Sequence, residues 1–552
     1  MAENVNITIV GGQTLQVPKD STALSFFKNN KVTDVPVMAC ILDGELRELT
    51  IQLSKDAEIS PVGLNSEDGV RIYARTLRMV MFKAAQIVMP DSKIEILHSF
   101  SKGYYCEFKK NDFTRDKLRE LAGKMQEIIR SDIPISKEKI PTTEAMKLYE
   151  SSGFTDKAEI LKYRQDEMSQ VYKCGDTLGY FYGYMCPSTG YVPLFELRYY
   201  PPGFVLRYPA KKNPFKLPHY VKQPKLSALF REYEKWCVIL GIKSMYSLNE
   251  TIVKKELPEI IRVAEALHEK KISQIADLIS MNKDLSVVFI AGPTSSGKTT
   301  FAQRLMVQLR VNGISPLAIS LDDYFLDRER TPMDEFGNYD FDTIDALDLD
   351  LFHSDLLRLL NGEGINLPSY NFHTGKREYR GKKLKIERRQ ILLIEGIHGL
   401  NEKLSNTVER NRKFKIYVSA LMQLNLDVLT PISTTDTRLI RRIVRDFHFR
   451  GTDAAATLQR WPLVRRGEEK NIFPFQEEAD AMFNTSLVYE LAVLKSYVEP
   501  LLQKVPLKTP EFVEARRLLK ILQYIKTYDE PEDIPSNSIL KEFIGESCFY
   551  NK

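Results

Sequence analysis

Phe289-Ile290-Ala291-Gly292-Pro293-Thr294-Ser295-Ser296-Gly297-Lys298-Thr299-Thr300 is the stretch on which the reading of this chain turns. An apolar run, Leu285 to Ile290, precedes it, and Phe301-Ala302-Gln303-Arg304-Leu305-Met306, with helical character, follows. Gly292 through Thr299 fit G-x-x-x-x-G-K-[ST] between a strand and a helix. Small residues let the main chain close around phosphates, and successive N–H groups at a helix N-terminus favour an anion. Lys298 offers a cation to the terminal phosphates and Thr299 a hydroxyl to Mg²⁺. The stretch therefore predicts a nucleotide-phosphate cradle made of Gly292, Pro293, Thr294, Ser295, Ser296, Gly297, Lys298, Thr299 and Thr300.

Two acidic residues downstream narrow the chemistry. Asn312-Gly313 turns into a strand, Pro316 to Ser320, that ends in Leu321-Asp322-Asp323. A second strand, Ile391 to Ile394, ends in Glu395-Gly396. Parallel α/β sheets bind ligands at the carboxyl ends of their strands, so both acids should face the phosphates. Kinases of small alcohols need a carboxylate to orient and deprotonate the acceptor hydroxyl, a role suited to Asp322. Glu395 is suited to the Mg²⁺ shell, beside Thr299. Three clusters follow: acidic Asp340 to Asp348, aromatic and polar Pro368 to Arg377, and Asp436 to Asp446. The last places Arg438, Arg441 or Arg442, and Arg445 on one helical face, where guanidinium forks can clamp phosphate charge.

Length and composition set the frame. At 552 residues the chain should hold three to four domains, and 43% hydrophobic content is ample for ordinary cores. A net charge of +5 does not by itself imply a nucleic-acid partner. Six scattered cysteines without a C-x-x-C pair read as reduced thiols, and the N-terminus lacks the features of a signal peptide. The longest apolar candidate, Leu77 to Met89, is broken by Arg78 and Lys83, so no membrane partner is expected and the expected location is the cytoplasm. Homo-oligomerisation is left open.

The front of the chain has another character. Residues 1–60 alternate as strand (Val5 to Ile9), Gly11-Gly12 turn, strand (Thr14 to Val17), short helix (Ser21 to Lys28), then strands Val37 to Leu42 and Leu46 to Ile51. This order resembles the β-grasp TGS domain. Residues 61–215 open with an amphipathic helix, Val70 to Val88, then a strand from Lys93 to Leu97 and a charged helix from about Asp112 to Ile129. With Tyr172-Lys173-Cys174-Gly175 and Pro187-Ser188-Thr189-Gly190 the pattern is similar to the second additional domain of threonyl-tRNA synthetases. That resemblance implies metal-ligand positions near Arg75 and Met79 and on Phe181 and Met185, none of them a zinc ligand. A degenerate domain without metal is expected, with His98, Cys106, Cys174 and Cys186 read as packing residues. Aromatics from Leu197 to Phe204 followed by Lys211, Lys212, Lys216, Lys222 and Lys225 leave a weak RNA contact open; packed strands with a solvated linker are the preferred reading. Residues 216–284 read as a helical connector, with a capping signature at Ser247 to Glu250 and two apolar stripes.

The order of Gly292–Thr299, Ser320-Leu321-Asp322, Phe341-Asp342, Pro368 to Phe372, Glu395-Gly396 and Asp436 to Arg442 resembles the uridine kinase/phosphoribulokinase family over roughly Ser286 to Glu490, so a kinase-like domain is expected over 285–520, leaving 521–552 as a C-terminal tail. The expected fold is multidomain α+β and α/β: an N-terminal β-grasp, a synthetase-editing-like α+β domain and a C-terminal P-loop α/β kinase with a parallel sheet. The resemblance implies Asp322 as base, Lys298 as catalytic cation, and Asp342 and Arg438 on sugar hydroxyls. It also implies Tyr370 and Phe372 in the base pocket, and Arg441 and Arg445 in a lid. The chain departs from the pattern where uridine kinases carry a base-reading histidine: the matching residue is Gly375, with His373 two positions earlier. Arg450-Gly451-Thr452 likewise replaces Arg-Gly-Arg. The expected activity is ATP- and Mg²⁺-dependent phosphorylation of a small nucleoside-like acceptor, uridine or cytidine first. The alternatives are another polyol or sugar, or an RNA-associated nucleotide switch. A GTPase would need N-K-x-D, which Asn282-Lys283-Asp284-Leu285 does not supply.

Overall fold

The strand Val287–Ala291, buried along its whole length, is the centre of a five-stranded sheet in the computed structural model, which describes residues 3–109, 113–164, 166–179, 182–335, 337–387 and 389–550. Across the sheet the order is Ser315–Ser320, Gln390–Glu395, Val287–Ala291, Lys413–Ser419 and Ala481–Asn484, every neighbour parallel. Strands this apolar on both faces must be covered on both, as all-parallel sheets require. The first and third strands in chain order lie side by side, with Ser320 opposite Glu395 and Glu395 opposite Ile290. That register delivers the phosphate-loop strand and both acidic strand ends to one edge of the sheet.

The front module is a second five-stranded sheet, ordered Thr14–Pro18, Asn4–Ile9, Ala57–Gly63, Val37–Leu42, Glu45–Arg47. Its helix is Ala23–Asn29, capped by Thr22, whose hydroxyl accepts from Ser25 N at 3.2 Å. The middle strand, Ala57–Gly63, was not expected: Pro61 speaks against a strand in an isolated sequence. It pairs parallel to Asn4–Ile9 and continues past residue 60, so the module does not end there. The expected Leu46 to Ile51 strand shortens to Glu45–Arg47.

Helix Glu67–Val88 starts at Ser66, whose hydroxyl accepts from Gly69 N at 3.1 Å. Two antiparallel sheets, of four and three strands, and helix Arg115–Arg130 surround it. Asp112, the expected start of that second helix, and Phe181 lie outside the described residues. Met79 and Met185 are core residues, and Arg75 donates to the Tyr184 carbonyl. His98 stacks on Phe230 at 3.8 Å, and burial pushes its pKa down to about 3. Tyr199 and Tyr200 are half-buried in the hairpin Glu196–Tyr200/Gly203–Arg207, against Phe113 and Phe100. Lys211 pairs with Glu67, and Lys225 donates to the Ala479 carbonyl.

The connector differs from expectation in its caps. Helix Met245–Val253 is capped by Ser244, and Ser247 is its third residue, reaching back to the Ser244 N–H at 3.0 Å. From Leu267 to Ile272 neither Gly nor Pro intervenes, so the two apolar stripes form one 25-residue helix, Leu257–Met281. That helix fastens to the phosphate-loop helix, Lys298–Val311, through Arg304 bonded to Glu265 at 3.1 Å and Glu269 at 2.8 Å. Between sheet strands four and five, Asn425 Nδ2 donates to the Ile96 carbonyl at 2.8 Å and Ile96 N to Val428 O at 2.8 Å, joining the two halves. Among the described residues no helix is long and apolar enough to cross a membrane.

Candidate active site

The loop after Val287–Ala291 has no room for side chains where the main chain curls. A Cβ on Gly292 would lie 1.9 Å from the Val418 carbonyl oxygen. Gly297 has φ +80°, and a Cβ there would meet Ile539 Cγ2 at 2.5 Å; Ser295 accepts a positive φ of 55°. Helix Lys298–Val311 begins immediately afterwards, so its free N–H groups point back into the loop. Among the described residues the Ser295 and Ser296 hydroxyls are buried without a hydrogen-bond partner, and Lys298 Nζ donates to the Pro293 carbonyl at 3.2 Å. Buried hydroxyls left in this state, beside an ammonium, fit a phosphate chain.

Three carboxylates converge on that lysine. Desolvation raises the Asp322 pKa, and Lys298 and Arg450 pull it back. Glu395 is pushed up to about 7 by burial, opposed by Lys298 and reinforced by Asp322 and Glu542. Burial lowers Lys298, while Glu395, Asp322 and Glu542 support its charge. Excess negative charge of this kind is what a divalent cation neutralises. Glu542 was not anticipated. Its carboxylate accepts from Thr300 Oγ1 at 2.7 Å and Thr300 N at 3.3 Å, and Tyr550 O–H lies 3.2 Å from the same hydroxyl. Residues 521–550 are therefore not a free tail: Ile539 and Phe543 are fully buried, and Glu542 occupies an anion position at the helix N-terminus. Beside it opens a cavity of 190 Å³ lined by Thr299, Arg445, Phe449, Arg450 and Tyr550.

Across the cleft, Asp342 lies in the field of Arg442, Asp340, Glu468 and Asp322, and burial first, then its acidic neighbours, raise it to about 6. Tyr370 is buried, its hydroxyl without a partner among the described residues, and its ring lies 5.1 Å from that of Phe372 and 5.5 Å from that of Phe325. Phe372 is 58% exposed and edges the cluster, which continues through Phe325 to Phe341 at 5.8 Å. Gly375, where a histidine was the comparison, has φ +69°, and a Cβ would come within 2.8 Å of Arg328 Nε. Arg328 takes that space and donates to the Phe372 carbonyl at 2.8 Å; His373 is exposed outside it. A consequence for stability follows from Asp342. Its folded pKa exceeds the ordinary carboxylate value, so the folded state loses stability as pH rises from about 4 to 6, by on the order of 1–3 kcal/mol. Asp342→Asn is expected to raise the thermal midpoint near pH 8 and leave it unchanged near pH 4; equal shifts at both would show the acid is not strained.

The arginine helix, Thr434–Arg450, corrects two expectations. Arg441 is no lid residue: fully buried, it bonds Glu490 Oε2 at 2.6 Å, the Thr485 carbonyl at 2.9 Å and the Ser295 carbonyl at 3.4 Å. Arg438 does not face an acceptor either; it forms a two-pronged ion pair with Glu468 and donates to Thr294 O at 3.2 Å. Glu468 in turn accepts from the Thr294 N–H at 3.1 Å. These pairs brace the phosphate loop from behind. The cations left facing the cleft are Arg442, on Thr294 Oγ1 at 3.4 Å, with Arg445 and Arg450, all three paired with Asp446. Glu468, Glu490, Glu542 and Arg328 had no local motif; each is defined by a partner between 30 and 242 positions away.

Residues 287–491 match the Phosphoribulokinase / Uridine kinase family. The N-terminal half is similar to threonine–tRNA ligases. That of Clostridium kluyveri is 25% identical over 189 residues, 34% of this chain and 30% of the ligase. That of Anaplasma marginale (strain Florida) is 31% identical over 163 residues, 29% of this chain and 26% of the ligase. The chain thus spans less than a third of the length of these relatives. A solved structure titled a possible uridine kinase, from Bacillus stearothermophilus, aligns with 39% of this chain and 98% of its own, at 18% identity and a TM-score of 0.27.

Proposed function

From a C-terminal region of the Phosphoribulokinase / Uridine kinase family, we propose that this chain transfers the γ-phosphoryl group of ATP to a hydroxyl of a small nucleoside-like acceptor, uridine or cytidine first. The observation that carries the reading is the convergence of Asp322, Glu395 and Lys298 at the mouth of a loop whose buried Ser295 and Ser296 hydroxyls have no partner among the described residues. Lys298 and the loop N–H groups hold the donor phosphates, and the cavity beside Thr299 receives the donor nucleoside. Thr299 and Glu395 would hold Mg²⁺, which would supply positive charge to offset that of the donor phosphates. Asp322, whose pKa desolvation raises while Lys298 and Arg450 pull it back, accepts the acceptor proton as the new P–O bond forms and the bond from the γ-phosphorus to the ADP oxygen breaks. Asp342 orients acceptor hydroxyls, and Tyr370, Phe372 and Phe325 receive a planar ring. Arg442 and Arg445 neutralise charge on the transferring group, and positioning supplies most of the rate.

A second reading, a sugar or polyol acceptor, is favoured by Arg328 filling the space beside Gly375: a cation there would suit an acceptor without a pyrimidine edge. ADP release with uridine, cytidine, pentoses and polyols separates them. The nucleoside reading expects kcat/KM at least about 100-fold higher for a nucleoside than for any pentose; the reverse order overturns it.

Glu542 adds an expectation about the donor. A nucleotide phosphate that uses Thr300 must displace this carboxylate and then faces its charge. Glu542→Gln is expected to tighten ATP binding by about tenfold, near 1.4 kcal/mol. Unchanged or weaker affinity by calorimetry would show that Glu542 does not compete.

A further inference from the structure

A second cavity lies away from the phosphate loop. It is a cleft of 890 Å³ between the two halves, walled by helices Glu67–Val88, Thr434–Arg450 and Pro510–Leu522. A chain of ion pairs ties these helices together: Arg71 to Glu514 at 2.7 Å, Arg517 to Glu514 at 2.6 Å and Arg517 to Asp436 at 2.7 Å. The rim is thus held by pairs that satisfy one another.

Other cations in the same cleft are not used up in this way. Among the described residues, no carboxylate lies within ion-pair distance of Arg75, Arg516 or Lys520. Arg75 is half-buried, and its guanidinium lies against Gly183, where a Cβ would come within 2.8 Å of Cζ. It donates to the Tyr184 carbonyl, a neutral partner. Burial, then the neighbouring Arg78, push its pKa down to about 10, the response of a cation short of compensating charge. Arg78 donates to Leu429 O at 2.8 Å and stands over the Tyr104 ring. Most acids lining the cleft are already committed: Glu45 to Arg47, Glu67 to Lys211, Asp68 to Arg71, Glu469 to Arg465.

Aromatic rings accompany these cations. Tyr104 and Tyr208, both half-buried, face each other at 5.5 Å. Lys520 Nζ sits 5.0 Å from the Tyr184 ring, and Arg516 lies 6.0 Å over Phe512. The volume lies within the range of small-molecule sites and far exceeds what a lone inorganic anion fills. Uncompensated guanidinium charge beside flat rings suits one chemistry, an anionic group joined to a planar base.

We propose that this cleft is a second ligand site, separate from the phosphate loop, which binds a nucleoside monophosphate with its phosphate on Arg75 and its base among Tyr104, Tyr184 and Tyr208. Ser433, Thr435 and Asp436, at the start of helix Thr434–Arg450, line the same cleft. The body of that helix braces the phosphate loop through Arg438 and Arg441. A ligand here therefore touches an element shared with the first site.

The test uses the full chain carrying Lys298→Ala, which removes the phosphate-loop contribution and makes the result independent of the kinase reading. Calorimetry with AMP, CMP and UMP should show one site per chain with micromolar affinity, and adenosine or inorganic phosphate alone should bind at least about tenfold more weakly. Adding Arg75→Glu should weaken the mononucleotide by about tenfold or more. Should that variant fail to fold, the exposed pair Arg516→Glu and Lys520→Glu should weaken it in the same direction. No binding of any mononucleotide up to about 1 mM overturns the proposal, as does affinity unchanged in every folded charge-reversal variant. A single-stranded oligoribonucleotide that binds where no free mononucleotide does also overturns it, because it places the ligand chemistry on an RNA chain.

Discussion

Asp322→Asn is expected to lower turnover by about 10³-fold while ATP affinity stays within about threefold, because the amide keeps shape and polarity but cannot take a proton. Strand Ser315–Ser320 ends beside Glu395, and this register brings Asp322 into the field of Lys298. The desolvation that raises its pKa makes it a better base than a solvated aspartate. Loss in kcat with little change in donor binding is the signature of an interaction made at the reacting hydroxyl. Equal turnover in the variant would remove Asp322 from the mechanism, and equal losses in both quantities would make it a donor-site residue instead.

Arg441→Ala is expected to act through stability. Arg441 and Glu490 are both completely buried and bonded at 2.6 Å. Removing one partner strands the other charge in the core, at a cost of about 3–5 kcal/mol. The loop would also lose the donor on Ser295 O and the brace on Thr485, whose hydroxyl in turn donates to Ser296 O at 2.6 Å. A large fall in the denaturation midpoint, with residual activity in the folded fraction, is the expected outcome. A variant with an unchanged midpoint and reduced kcat would instead restore Arg441 to the reacting phosphates. Arg442→Ala, in contact with Thr294 Oγ1 and half-buried, should show that second pattern.

The contrast between these two arginines shows what was legible in the sequence. Helical spacing set Arg438, Arg441 or Arg442, and Arg445 on one face, but not which way that face turned. Their partners, Glu468 and Glu490, lie 30 and 49 residues further on, and only folding brings them together. The glycine-rich loop and the two acids at strand ends were readable because strand, loop and helix are contiguous, so local rules fix their geometry. By the same logic, Ala57–Gly63 was missed: Pro61 masks a strand that only its two neighbours stabilise. Glu542 and Arg328 reach the site from outside any motif. Their positions follow from close approaches, Ile539 to Gly297 and Arg328 to Gly375, that a one-dimensional pattern does not encode.

The central claim is that phosphate leaves the donor for an acceptor hydroxyl and not for water. The direct test follows the products of ATP turnover by ³¹P NMR with each nucleoside, pentose or polyol added in turn. The expected spectrum shows ADP and a new phosphomonoester growing in equal amounts, only when the right acceptor is present, and neither in Lys298→Ala. ADP and inorganic phosphate formed at one rate whatever acceptor is added would contradict it, and would make the site a nucleotide switch.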